Sequence, residues 1–61
     1  MRYVILRNPH DNEYKLFRYE EGKELYAPNY GCPICSGSSV DDVISDAANF
    51  AIFAEEIEVI I

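Results

Sequence analysis

Val40, Val43, Ile44, Ala47, Ala51 and Ala54 recur at the i, i+3, i+4, i+7 spacing of a buried helical stripe. This is the one helical pattern in the chain, so the remaining elements must pack on a single helix. Phe50 and Phe53 widen the stripe, which predicts a helix well covered by a sheet or by a partner. Ser38 or Ser39 is a suitable N-cap. Asp41 and Asp42 fall in the first turn, where the helix dipole favours negative charge. Asp41, Asp42, Ser45, Asp46 and Asn49 take the opposite face.

The other periodic segments read as strands. Tyr3–Arg7 is short and rich in β-formers. Asn8 to Asn12 is a cluster of turn residues. Tyr14–Tyr19 alternates in period two, with Tyr14, Leu16 and Arg18 on one side and Lys15, Phe17 and Tyr19 on the other. Glu20-Glu21-Gly22-Lys23 has the form of a tight hairpin, with Gly22 in the left-handed position. Glu24–Ala27 then reads as a third strand stopped by Pro28, and residues 28–39 as a loop. Glu56–Ile61 alternates as a last strand that joins an edge of the meander. The pattern predicts one α+β domain over residues 1–61. It is a two-layer β-β-β-α-β arrangement, an antiparallel three-stranded meander plus a C-terminal strand, with the helix on one face. The second face then needs a cover, for which Tyr14 or Tyr19 is the candidate.

At 61 residues the chain buries only about 60% of the surface its unfolded form exposes. Such scaffolds often add a metal, a disulfide or a partner subunit. There is little volume for a ligand pocket beside the core. With 49% hydrophobic and 26% charged residues the composition is that of a folded globular protein. No apolar run is long enough to cross a bilayer, and Arg7, Asn8 and Pro9 end the first one too early for a signal peptide. A cytoplasmic protein without a membrane role is the expectation.

The charge is split along the chain. Residues 1–23 hold five bases (Arg2, Arg7, Lys15, Arg18, Lys23) and four acids (Asp11, Glu13, Glu20, Glu21), net +1. Residues 24–61 hold seven acids (Glu24, Asp41, Asp42, Asp46, Glu55, Glu56, Glu58) and no Lys or Arg, net −7. The total is −6. Such a surface repels phosphate, so direct nucleic-acid binding is not expected. A strip of carboxylates can instead imitate the phosphates of DNA and occupy a basic groove. The chain is similar in size and charge to short acidic inhibitors of host or defence enzymes, many of them phage-encoded. Five tyrosines (Tyr3, Tyr14, Tyr19, Tyr26, Tyr30) suit an interface, where a large ring and a polar tip are both useful.

Tyr30-Gly31-Cys32-Pro33-Ile34-Cys35-Ser36-Gly37 is the most specific local motif. Two thiolates three positions apart can chelate one tetrahedral metal ion. The stretch resembles the Cys-Pro-x-Cys knuckles of zinc ribbons and rubredoxins, and the single knuckle of zinc-hook dimers. That resemblance implies zinc shared between two subunits of a homodimer, since the chain has no second knuckle and its lone histidine, His10, lies 22 positions upstream. A redox dithiol is a further reading, although that chemistry places the first cysteine at a helix N-terminus. Two unreactive thiols in a loop is the third. The order β-β-β-α-β is also similar to that of the partial-RNase-H-like antitoxin domains of bacterial toxin–antitoxin pairs, which implies a toxin-neutralising role.

His10, Asp11 and Glu13 lie in a turn with no nucleophile pattern nearby, and no phosphate-binding or hydrolase motif occurs. The sequence therefore points to a non-enzymatic protein that inhibits or regulates a larger, basic protein partner. Its expected contacts are Asp41, Asp42, Asp46, Glu55, Glu56 and Glu58, with Tyr14, Tyr26 and Tyr30 beside them. The alternative is a metal-organised homodimer through Cys32 and Cys35, with no other cofactor.

Overall fold

The computed structural model describes residues 1–60. Four strands and one α-helix follow in the order β1 (Tyr3–Arg7), β2 (Tyr14–Arg18), β3 (Cys35–Gly37), α1 (Val40–Ala47) and β4 (Ile57–Val59). The sheet order is β3-β2-β1-β4. β1 and β2 pair antiparallel, as do β2 and β3, while β4 runs parallel to β1. The architecture is α+β, with the helix on one face of a four-stranded mixed sheet. No helix among the described residues is long and apolar enough to cross a membrane.

β1 and β2 form a hairpin in the register Ile5↔Leu16. Its loop is closed by the Asn8 amide donating to the Glu13 carbonyl at 2.8 Å, with Asn12 left-handed at φ 59. Asn suits that conformation because its short polar side chain bonds locally. Asp11 accepts from the Glu13 amide at 3.0 Å, and Lys15 follows at 3.1 Å. The Glu13 amide, then Lys15, hold the Asp11 carboxyl below its ordinary pKa.

Alternation along these two strands places a core on each side of the sheet. Ile5 and Leu16 meet Val43, Ala47 and Ile52 on the helix side, with Tyr14 and Cys35 packed against them. Val4, Leu6 and Phe17 meet Ala27 on the other side, with Tyr19, Tyr30 and Ile60 around them. The second face is thus covered by irregular chain. Tyr19 belongs to that cover, whereas Tyr14 lies on the helix side.

The third strand is not where periodicity places it. Glu24–Ala27 forms no strand: the Tyr26 amide turns back to the Glu24 carbonyl at 2.8 Å, and Ala27–Tyr30 is a 3-10 helix with Pro28 in its first turn. Ala27 is buried beneath the sheet, which pulls this segment off the edge and under the second face. β3 is instead Cys35–Gly37, led in by the Ile34 amide donating to the Leu16 carbonyl at 2.8 Å. The turn at Glu20–Lys23 does form, with Gly22 at φ 84, but no strand pairing follows it.

The helix begins as its sequence predicts, with Ser39 as N-cap. It ends earlier than the apolar stripe. α1 stops at Ala47, a 3-10 turn runs Ala48–Phe50, and Ala51 is left-handed at φ 60. The Ala51 amide donates to Ala48 at 3.0 Å and the Ile52 amide to Ala47 at 3.1 Å. This bond pair is a Schellman motif, with Ala where Gly is usual. Ile52 is buried against Ala47, while Phe50 and Phe53, expected on the covered stripe, are 56% and 53% exposed. β4 covers Ile57–Val59 of the expected Glu56–Ile61, and Ile61 lies outside the described residues.

Candidate interaction surface

α1 packs chiefly on β3 and β2. Its start is held close to the sheet edge by Gly37, where an added Cβ would stand 3.0 Å from the Asp42 Cβ. Ser39 Oγ accepts from the Asp42 amide at 3.2 Å, which satisfies one of the free donors of the first turn. With Val43 and Ala47 turned inward, Asp41, Asp42 and Asp46 are exposed.

The six acidic residues read from the sequence divide by their partners. Glu58 is ion-paired with Arg2 at 2.8 Å, and that hydrogen bond raises the pKa of the Arg2 guanidinium. Arg2 also lies over the Tyr19 ring, 4.2 Å from its centroid. Glu56 accepts from the Phe53 amide at 3.3 Å, so it caps the 3-10 turn Ala54–Glu56. Asp42 accepts from the Ser38 hydroxyl at 3.2 Å. Asp41, Asp42, Asp46 and Glu55 form no ion pair among the described residues. Three further bases are engaged elsewhere, Lys15 with Asp11 and Glu13, Lys23 with Glu20, and Arg7 with Asn12, while Arg18 is exposed and forms no ion pair among the described residues.

The three tyrosines also divide. Tyr26 is 40% exposed. Tyr14 is half-buried against the helix-side core. Tyr30 is half-buried beneath Phe17, with ring centroids 5.1 Å apart, and Lys23 lies over its ring at 4.9 Å. The Tyr30 hydroxyl is buried with no hydrogen-bond partner among the described residues. Phe50 and Phe53 are the exposed aromatics nearest in sequence to Asp46 and Glu55. The apolar stripe runs through both, and an early helix end, unmarked by Gly or Pro, is what exposes them.

Cys32 and Cys35 are both free thiols, but they face different surroundings. Cys32 is exposed in the loop. Cys35 opens β3, opposite Leu16, and its thiol points at the Val43 carbonyl, 3.8 Å away. Burial, and then the negative charge of Asp46, push the Cys35 thiol above its ordinary pKa. That is the reverse of what a redox nucleophile or metal thiolate uses. His10 is exposed in the β1–β2 loop, its amide donating to Asn8 Oδ1. Among the described residues no three His, Cys, Asp or Glu side chains gather into a metal-holding group, and no pocket opens. Comparison with family models, curated proteins and solved structures finds no match for the chain.

Proposed function

We propose that this chain is a non-enzymatic binding protein that engages a basic protein surface through Asp41, Asp42, Asp46 and Glu55. The observation that carries the reading is the placement of Asp46. It lies in the last turn of α1, where the helix dipole disfavours negative charge, and no basic residue shares that turn. It also follows Asp42 at i+4, a like-charge spacing that weakens a helix by roughly 0.2–0.5 kcal/mol. Asp46 therefore works against the stability of its own helix. A carboxylate in such a place supports the reading that these acids serve an external contact.

Carboxylates without an ion pair, such as these, fit the cationic groove of a nucleic-acid-binding protein, so inhibition by occupying that groove is the specific form of the proposal. Neutralisation of a toxin with a basic active surface would use the same groups. In this reading the chain works in a reducing compartment such as the cytoplasm, with Cys32 and Cys35 as free thiols.

The test is Asp46→Lys. The variant is expected to be more stable than the wild type in chemical denaturation, and to retain less basic protein from a native extract at low salt. Retention unchanged by Asp46→Lys, or unchanged between about 0.05 M and about 0.5 M salt, contradicts the proposal.

A further inference from the structure

We infer that the open edge of β4 takes an added strand, and that its occupant is an extended segment of another protein with alternating basic and apolar residues. β4 pairs with β1 in the parallel register Val4↔Glu58 and Ile5↔Val59, and the Ile60 amide donates to the Ile5 carbonyl at 3.0 Å. Along a strand, successive residues turn their polar backbone groups to opposite sides. Glu58 and Ile60 thus face β1, and Ile57 and Val59 face outward. The Ile57 amide is already satisfied by the Ala54 carbonyl. Val59 is left with both its N–H and its C=O at the edge, an arrangement that templates strand addition.

The side chains around this edge specify the occupant. Val59 is 40% exposed on the helix side of the sheet, and Phe50 and Phe53 are exposed on the chain that leads into β4. Apolar side chains of an added strand would meet Val59, and Phe53 stands immediately before the Ala54–Glu56 turn that contacts β4. From Asp46 to Glu58 the chain has four acids and no base, and Arg2 neutralises Glu58 alone among them. Charge complementarity therefore selects a basic segment. A second copy of the chain would bring another net charge of −6 to the same edge, which opposes association. The other edge strand, β3, lies between Pro33 and the helix and has no large exposed apolar side chain.

The inference rests on the proposed acidic binding role for the sign of the partner and adds the strand edge as the place of docking. The test uses isotope-labelled protein, titrated with a capped peptide of alternating lysine and valine and with an oligo-arginine peptide of equal charge. Val59→Pro removes the outward donor and leaves the bonds to β1, as proline at an edge strand can when its N–H side faces solvent. The lysine–valine peptide is expected to protect the Val59 amide from exchange and to bind Val59→Pro at least about tenfold more weakly. Oligo-arginine is expected to bind both proteins alike. If Val59→Pro loses the β1–β4 bonds, Phe53→Ser takes its place with the same expectation. Equal binding of the lysine–valine peptide to wild type and variant, or shifts confined to α1, overturns the strand edge while leaving the acidic role intact. Protection of Val59 by self-association without peptide overturns the occupant. Binding of neither peptide overturns both readings.

Discussion

The amide of Ile52 donates to the carbonyl of Ala47 at 3.1 Å, across a turn in which Ala51 is left-handed. That conformation costs a residue with a Cβ about 1–2 kcal/mol, whereas Gly adopts it freely. Ala51→Gly is therefore expected to stabilise the domain by about 0.5–1 kcal/mol after the larger unfolded-state entropy of Gly is counted. Urea denaturation checks the direction. Ala51→Val should move the midpoint the other way.

The same turn explains what the sequence hides. The helix start was legible because Ser39, Asp41 and Asp42 act locally, through the cap and the dipole. The helix end was not, because the apolar stripe continues to Ala54 and the stop is made by an alanine. β1 and β2 were legible from their alternation. β3 was not: Cys-Ser-Gly carries little β preference, and its pairing comes from the long-range contact of Ile34 with Leu16. Glu24–Ala27 has the residues of a strand, but burial of Ala27 against Val4, Leu6 and Phe17 draws it under the sheet. Of the site, the acidic residues were legible as a group. Their sorting into engaged and free ones was not, since it depends on Arg2 and the Phe53 amide.

Ser39 supplies the side-chain oxygen that accepts from one first-turn donor of α1, the Asp42 amide. Ser39→Ala is expected to destabilise the domain by about 1 kcal/mol, and Ser39→Asp to restore most of the loss. Thermal unfolding of the three proteins tests this. Equal stability of Ser39→Ala and wild type would mean that the cap is supplied by another group.

Leu16 and Phe17 are neighbours on β2 and are buried on opposite faces. Leu16→Ala is expected to cost about 2–5 kcal/mol and Phe17→Ala about 3–5 kcal/mol. In a sheet with one wet face only one of the two would be severe. Comparable losses in chemical denaturation confirm that both sides are packed.

The Tyr30 hydroxyl is buried without a hydrogen-bond partner among the described residues. Removing an unsatisfied polar group while keeping the ring relieves a desolvation penalty. Tyr30→Phe is expected to raise stability by about 1 kcal/mol. A loss of stability would show that the hydroxyl is bonded in solution.

Cys32 is exposed, and the Cys35 thiol is held above its ordinary pKa. At pH 8 a thiol alkylating agent should modify Cys32 rapidly and Cys35 slowly, as peptide mass spectrometry would read. The sign for stability follows from linkage. Below the unfolded thiol pKa of about 8.5 both states keep the proton and the stabilisation is complete. As pH rises further, the unfolded chain ionises first, so the contribution of Cys35 falls and is lost through the folded pKa. The stability advantage of wild type over Cys35→Ala should shrink across that window. Native mass spectrometry with and without chelator then tests a zinc-bridged dimer, which requires Cys35 as an outward-facing thiolate.

Among the described residues, no polar or charged residue is buried. Fold and charge are therefore written in two separate sets of positions. The outer face of α1 could be inverted in sign, one carboxylate after another, without a single change to the residues that pack the two sides of β1 and β2. A scaffold divided in this way can change partners faster than it changes shape.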